Sequence, residues 1–125
     1  MFKKSILLAV TATCLATPFT SAQSETLTWK VRSFHRNAVE LAFYSDNRNH
    51  LWPAKNQVYS ITDSNVHTIR LSCVSGEKVC YGAWVDGDSS TYWGTGKGGK
   101  HRCKDCCFTC DGGTTPIRNL NERRR

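Results

Sequence analysis

The sequence predicts an all-β domain, a small antiparallel sandwich or barrel of about six or seven strands with a disulfide-stapled C-terminal loop. Apolar residues alternate with a period of two along most of the chain, which is typical of half-buried strands rather than helices. Turn-forming Gly, Asp, Asn and Ser residues separate these stretches. Six of the seven cysteines lie in the second half of the 125-residue chain, four of them within residues 103–110. This length fits a single domain.

Residues 1–22 have the features of a secretory signal peptide. Lys3 and Lys4 precede an apolar stretch at residues 6–15, and small residues ending at Ala22 offer a cleavage site. We therefore expect two parts, a signal peptide at residues 1–22 and a single disulfide-stapled β domain at residues 23–125. The second part keeps six cysteines, and its net charge falls from +7 to +5 with the loss of the two lysines. An even cysteine count in a small exported domain predicts disulfide bonds.

Export through the secretory pathway predicts a periplasmic or secreted protein. No apolar run approaches the roughly 20 residues that a membrane-spanning helix requires, so no transmembrane segment is expected.

The first half of the domain supplies four predicted strands. In the first of them, Leu27, Trp29 and Val31 alternate with polar residues, and the same pattern recurs in the others. The segment that includes Trp52 and Pro53 predicts an irregular connection. The four strands are predicted at residues 26–32, 38–44, 58–62 and 66–73.

The second half begins with the most definite supersecondary prediction, a hairpin. Residues 66–73 and 78–85 both alternate, and Ser75 and Gly76 provide a turn between them. A short strand at residues 91–93 precedes a glycine-rich stretch at residues 94–99. The last strand is predicted at residues 115–120, where Pro116 favours the edge of a sheet because proline cannot donate to a strand ladder.

The cysteine pattern predicts disulfides among Cys73, Cys80, Cys103, Cys106, Cys107 and Cys110, but spacing cannot choose among 15 possible pairings. A bridge between adjacent cysteines is disfavoured by strain. Two arrangements stay open. One is a Cys73–Cys80 bridge across the hairpin. In the other, both cysteines reach into the C-terminal cluster; at least one such long-range bridge is favoured, because an irregular loop without its own core needs an anchor.

Zinc binding is the alternative interpretation of the same cluster. Paired Cys-x-x-Cys units suit tetrahedral coordination by thiolates, with Cys103, Cys106, Cys107, Cys110 and His101 as candidate ligands. An oxidising compartment disfavours this alternative because it removes the thiols. A thioredoxin-like redox role is also disfavoured, because the expected βαβ context is absent.

A basic and aromatic segment is the candidate ligand-binding surface. Outside the cytoplasm, such a segment favours anionic lipid head groups, lipopolysaccharide or acidic glycans rather than nucleic acid. The competing interpretations are a solvated basic loop and aromatic residues used for packing. The candidate residues are Trp84, Tyr92, Trp93, Lys97, Lys100, Arg102 and Lys104.

No catalytic residues and no cofactor are expected, because the sequence contains no nucleophile elbow, no His-Glu-x-x-His and no evident carboxylate pair. The sequence therefore predicts an exported, non-enzymatic binding or interaction module of the bacterial envelope or extracellular space. Its ligand would be a protein or an anionic envelope component. Two alternatives are a secreted inhibitor or host-directed effector, and a zinc-binding protein.

Two motifs, GEKVCYGAW at residues 76–84 and CKDCCFTC at residues 103–110, resemble those of small, exported, cysteine-rich proteins, chiefly from alphaproteobacteria. The segments FYS at 43–45, WP at 52–53 and YWG at 92–94 fit the same group, so the resemblance spans most of residues 23–125. It implies export and a single domain, and it carries over no active site.

Overall fold

A computed structural model describes residues 23–121, which form nine β-strands. The proposed signal peptide at residues 1–22 lies outside the described residues. The strands are β1 (Ser24–Ser33), β2 (Val39–Ser45), β3 (Leu51–Trp52), β4 (Tyr59–Ile61), β5 (His67–Val74), β6 (Lys78–Val85), β7 (Asp88–Gly94), β8 (Cys107–Thr109) and β9 (Thr114–Leu120).

The strands form two sheets, which confirms the all-β class. One sheet has the order β5-β1-β9, and the other has the order β3-β2-β6-β7, with β4 paired to β2 and β8 paired to β6. Two short strands, β3 and β8, were not predicted, because stretches of two or three residues carry too little alternation to be recognised. Within residues 23–121, no helix is long and apolar enough to cross a membrane.

The core lies between the two sheets and is centred on Trp29 of β1, which is completely buried. Its ring centroid lies 5.0 Å from that of Phe43 on β2, 5.8 Å from Tyr81 on β6 and 5.3 Å from Phe108 on β8. A single aromatic side chain thus contacts three strands of the opposite sheet. Aromatic contacts at these distances add to the free energy gained by burying apolar surface.

The predicted β5–β6 hairpin is wrong. The two strands belong to different sheets, since β5 pairs with β1 whereas β6 pairs with β2, β7 and β8. The turn itself is present, because the Glu77 N–H donates to the Val74 carbonyl at 2.9 Å and Gly76 has a φ of 83°. This turn passes the chain from one sheet to the other. Alternation and turn chemistry identify two strands and their junction, but not the edges along which the strands pair.

Strand β9 lies at the edge of its sheet, as Pro116 predicts, but it pairs with β1 in parallel rather than antiparallel fashion. The register shifts by one residue beside the proline, where Thr28 is opposite Thr114 and Lys30 is opposite Ile117. The Thr115 hydroxyl accepts the Lys30 N–H at 3.2 Å. A side chain therefore satisfies a backbone donor at the irregular point of the ladder.

Three disulfides hold the C-terminal region, as the sequence predicts. Cys73 at the end of β5 is bonded to Cys110, which joins the two sheets. Cys80 on β6 is bonded to Cys107, its direct partner in the β6–β8 register. Cys103 is bonded to Cys106. Both cysteines of the β5–β6 segment thus reach into the C-terminal cluster, and the local Cys73–Cys80 alternative is not formed.

A buried carboxylate reinforces the turn between the sheets. Glu77 is 4% exposed, and its oxygens accept hydrogen bonds from the Ser45 hydroxyl at 2.7 Å, the Val74 N–H at 3.1 Å and the Arg48 guanidinium, whose Nη2 lies 3.0 Å from Oε1. Arg48 also donates through Nε. These donors, above all Arg48, lower the pKa of Glu77 from its ordinary 4.5 to about 2 despite the opposing effect of burial.

Acid should therefore destabilise the domain through Glu77. Between about pH 4.5 and about pH 2 the unfolded chain binds a proton at this position and the folded chain does not, so the stability that Glu77 contributes at neutral pH is lost as the pH falls. The variant Glu77→Gln should lower the free energy of unfolding at pH 7 by about 1–3 kcal/mol and make its acid dependence shallower. Urea unfolding at pH 7 and pH 3 measures both effects.

The exposed Asp105 provides the control, since Asp105→Asn removes a carboxylate without disturbing the turn. Equal stability and equal acid dependence in wild type and Glu77→Gln would contradict the role assigned to Glu77.

Candidate functional site: a basic cleft beside the disulfide cluster

Three of the four predicted basic residues, Lys100, Arg102 and Lys104, line one cleft of about 560 Å³. We call this cleft the basic cleft. The start of β6 contributes Lys78 and Cys80, and the remaining wall consists of Asp46, Thr95, Gly99, His101, Cys103 and Cys107. The fourth predicted residue, Lys97, is exposed in a short 3-10 turn, Lys97–Gly99, and lies outside the cleft.

The charge of the basic cleft is strongly positive. Four cationic side chains line it against one carboxylate, and that carboxylate, Asp46, lies 3.7 Å from the Nζ of Lys78. Among residues 23–121, no ion pair involves Lys100, Arg102 or Lys104. Several like charges around a concave surface raise the local concentration of anions, so this arrangement favours an anionic group as ligand.

The glycine-rich segment that follows β7 forms one side of the cleft because it folds back across β6. Gly82 permits this path, since a Cβ at that position would collide with the Gly96 carbonyl and lie 2.8 Å from the Thr95 hydroxyl. The Thr95 N–H and hydroxyl both donate to the Tyr81 carbonyl, at 3.0 and 3.1 Å. The Tyr44 hydroxyl accepts the Gly98 N–H at 3.0 Å. These contacts attach the segment to β2 and β6.

The same segment fixes His101. The His101 N–H donates to the Thr95 carbonyl at 3.0 Å, and its ring stacks on Tyr92 with centroids 3.9 Å apart and planes within 8°. One face of the Tyr92 ring is therefore covered by an imidazole. His101 is thereby held at the wall of the basic cleft, between Lys100 and Arg102 in sequence.

The three candidate aromatic residues do not form one exposed platform. Trp84 is 6% exposed, so it is part of the packing. Its register partner across β6 and β7 is Tyr92, whereas Trp93 pairs with Ala83 and belongs to the opposite face of the sheet. The indole N–H of Trp93 donates to the Asn121 carbonyl at 2.8 Å. The basic side chains, rather than the tryptophans, are what the fold brings together.

The four cysteines among the candidate zinc ligands are divided among three disulfides. Cys103 and Cys106 are bonded to each other, while Cys107 and Cys110 are bonded to cysteines of β6 and β5. A sulfur in a disulfide is not a thiolate, and thiolate is the form that binds zinc. Within the part of the chain that the structure describes, no group of three or more His, Cys, Asp or Glu side chains is placed to hold a metal ion.

Two charged residues of the cleft, Lys78 and Asp46, were not among the sequence-predicted candidates. Lys78 starts β6, and the segment after β2 is tied to it by two hydrogen bonds, from the Asp46 N–H to the Lys78 carbonyl at 2.9 Å and from the Lys78 N–H to Asn47 Oδ1 at 2.7 Å. The pairing of β2 with β6 brings these segments together. Nothing in the spacing of residues 46 and 78 signals that contact.

A methyl group at Gly82 should displace the glycine-rich segment that forms one side of the basic cleft. Gly82→Ala should displace the segment at Thr95 and Gly96, lower the free energy of unfolding by about 1–3 kcal/mol through overpacking, and shift the amide NMR signals of His101 and its neighbours. Ser60→Ala, at an exposed strand position, is the control. Wild-type stability together with an unchanged spectrum in Gly82→Ala would contradict the close approach.

Comparison with known protein families, with curated proteins and with solved structures finds no match for this chain. The chemistry of the basic cleft is therefore the basis for a proposal about function.

Proposed function

We propose that the protein is an exported, non-enzymatic binding module whose basic cleft binds an anionic component of the bacterial envelope. The observation that carries this proposal is the convergence of Lys100, Arg102 and Lys104 with Lys78 on one cleft. The ligand groups that suit it are phosphate and carboxylate, as found on lipid head groups, lipopolysaccharide and acidic glycans. Lysine and arginine side chains bind both groups through charge-assisted hydrogen bonds.

The position of the cations supports binding to a ligand at a surface. All three loop cations are exposed, and they lie close together in sequence at residues 100, 102 and 104. A cluster of this kind near an anionic membrane contributes about 1 kcal/mol per cation. The contribution decreases beyond a Debye length of about 8 Å at physiological ionic strength, so binding should weaken as salt is added.

Three disulfides support the proposed location. They are typical of proteins that fold in an oxidising compartment, such as the periplasm or the extracellular space. They also keep the walls of the basic cleft in place before a ligand arrives. A rigid cleft loses less conformational entropy on binding than a mobile basic loop would.

The proposal predicts that neutralising the cleft weakens binding to anionic membranes. The triple variant Lys100→Gln, Arg102→Gln, Lys104→Gln should bind vesicles of phosphatidylglycerol and phosphatidylcholine about 100-fold more weakly than wild type, since three cations at about 1 kcal/mol each contribute about 3 kcal/mol and about 1.4 kcal/mol corresponds to a tenfold change. Co-sedimentation of residues 23–125 with the vesicles measures this affinity. Purified lipopolysaccharide should compete for the bound protein.

A charge-matched control separates the cleft from net charge. Arg36, Lys55 and Arg70 are exposed and lie outside the basic cleft. The triple variant Arg36→Gln, Lys55→Gln, Arg70→Gln removes the same charge and should retain most of the affinity. An equal loss in both triple variants, or no loss in the first, would refute the proposal.

A further inference from the structure

The Cys103–Cys106 disulfide differs from the other two in its place in the fold. It spans three residues of the sequence, whereas Cys73–Cys110 spans 37 and Cys80–Cys107 spans 27. It lies within residues 100–106, which contain no helix or strand. The other two bridges join β5 or β6 to the β8 region and so connect regular strands. Cys103–Cys106 connects only two points of one short irregular segment.

The two sulfur-bearing residues of this bridge differ in accessibility. Cys103 is partly exposed and lines the basic cleft, whereas Cys106 is completely buried. An incoming group that enters the cleft can therefore reach Cys103 but not Cys106. This asymmetry defines which sulfur would be attacked and which would leave.

The charge around Cys103 favours attack by an anion. Cys103 lines the same wall as Lys100, Arg102 and Lys104. The species that attacks a disulfide is a thiolate, and nearby cations attract it and stabilise thiolate over thiol. The positive charge of the cleft therefore favours the thiolate, which is the form of the incoming thiol that attacks the disulfide.

The segment keeps other attachments when this bridge is open. The Tyr81 N–H donates to the Cys106 carbonyl at 2.9 Å, and the next residue, Cys107, is bonded to Cys80 on β6. On the other side, His101 is bound to Thr95 through its N–H. Arg118 of β9 donates to the Asp105 carbonyl between the two cysteines. Opening Cys103–Cys106 thus leaves the path of the chain defined on both sides.

From these four observations we propose that Cys103–Cys106 is a thiol–disulfide exchange site that reacts with thiols entering the basic cleft. The sulfur of an incoming thiol bonds to Cys103 Sγ, the Cys103–Cys106 bond breaks, and Cys106 takes up a proton and becomes a thiol. A second thiol then attacks the mixed disulfide, which releases an external disulfide and leaves Cys103 as a thiol. Two external thiols are oxidised and one protein disulfide is reduced.

This site does not depend on an anionic envelope ligand. If the wild-type protein exchanges thiols at Cys103–Cys106 but does not bind anionic vesicles, only the proposed function is refuted. If it binds the vesicles but Cys103–Cys106 does not open faster than the other bridges, only the present inference is refuted.

The first test is the order in which the three bridges open. The folded protein is treated with limiting reduced glutathione, quenched with N-ethylmaleimide and mapped by peptide mass spectrometry. Cys106 should carry N-ethylmaleimide, and Cys103 should carry glutathione or N-ethylmaleimide, at least about tenfold faster than any of the other four cysteines is modified, while tryptophan fluorescence stays that of the folded protein. The nearest competitor is Cys80–Cys107, because both of its cysteines also line the cleft and the Cys107 sulfur lies 3.9 Å from that of Cys106. Opening of that bridge, or of Cys73–Cys110, at an equal or greater rate would overturn the proposal.

The second test uses a pair of single variants. Cys106→Ser leaves the accessible Cys103 unpaired, and Cys103→Ser leaves the buried Cys106 unpaired. With oxidised glutathione, Cys106→Ser should form a mixed disulfide at Cys103, and Cys103→Ser should react at least about tenfold more slowly at Cys106. Equal reaction of the two variants would overturn the assignment of Cys103 as the attacked sulfur.

The third test isolates the charge of the cleft. In the triple variant Lys100→Gln, Arg102→Gln, Lys104→Gln, the rate of exchange with glutathione should fall about tenfold, and the rate with the less charged 2-mercaptoethanol should fall less. Adding salt should slow the wild-type reaction with glutathione in the same way. Equal rates in wild type and variant for both thiols would refute the electrostatic part of the proposal.

Discussion

The basic cleft depends on one constraint: the outer face of β6 is covered by a C-terminal segment that one disulfide, Cys80–Cys107, attaches to β6 and a second, Cys73–Cys110, attaches to β5. Every residue of β6 from Val79 to Val85 is buried, although alternation in the sequence leaves Cys80, Gly82 and Trp84 on the side away from the core. Cys80 and Gly82 are covered because the Cys80–Cys107 bridge and the segment at residues 95–96 lie against them. Three of the four cations of the cleft belong to this same segment. Without its attachment, Lys100, Arg102 and Lys104 would belong to a solvated basic loop.

The three disulfides differ in how much they contribute to the stability of the fold. In the chain-entropy model a bridge stabilises more when it closes a longer loop, which gives about 4 kcal/mol for Cys73–Cys110, about 3.5 kcal/mol for Cys80–Cys107 and about 2 kcal/mol for Cys103–Cys106. A domain of this size has a net stability of about 5–15 kcal/mol, so the two long bridges are a large part of it. The short bridge contributes least, and its Cys103 is partly exposed at the wall of the electropositive cleft. Reduction of Cys103–Cys106 should therefore lower the free energy of unfolding less than reduction of either long bridge.

Much of the secondary structure could be predicted from alternation, because strands such as β1 and β5 turn every second residue toward the core. Pro116 predicted the edge position of β9, and the even number of cysteines in residues 23–125 predicted disulfides. What could not be predicted is pairing between distant segments: the separation of β5 from β6, the parallel β1–β9 pair and the contact of Lys78 with Asp46 all depend on tertiary packing. Glu77 was missed for the same reason, since its partner Arg48 is 29 residues away. The basic residues could be recognised because they lie together in sequence, but their arrangement around one cleft could not.

The most direct test of how the basic cleft is attached to the sheets is the disulfide connectivity of the native protein. Digestion of the unreduced protein at a pH that prevents disulfide exchange, followed by mass spectrometry of the linked peptides, identifies each pair. We expect Cys73–Cys110, Cys80–Cys107 and Cys103–Cys106, with a mass six hydrogens below that of the reduced chain and no bound metal. A local Cys73–Cys80 bridge, or free thiols together with the mass of a zinc ion, would contradict the attachment on which the basic cleft depends.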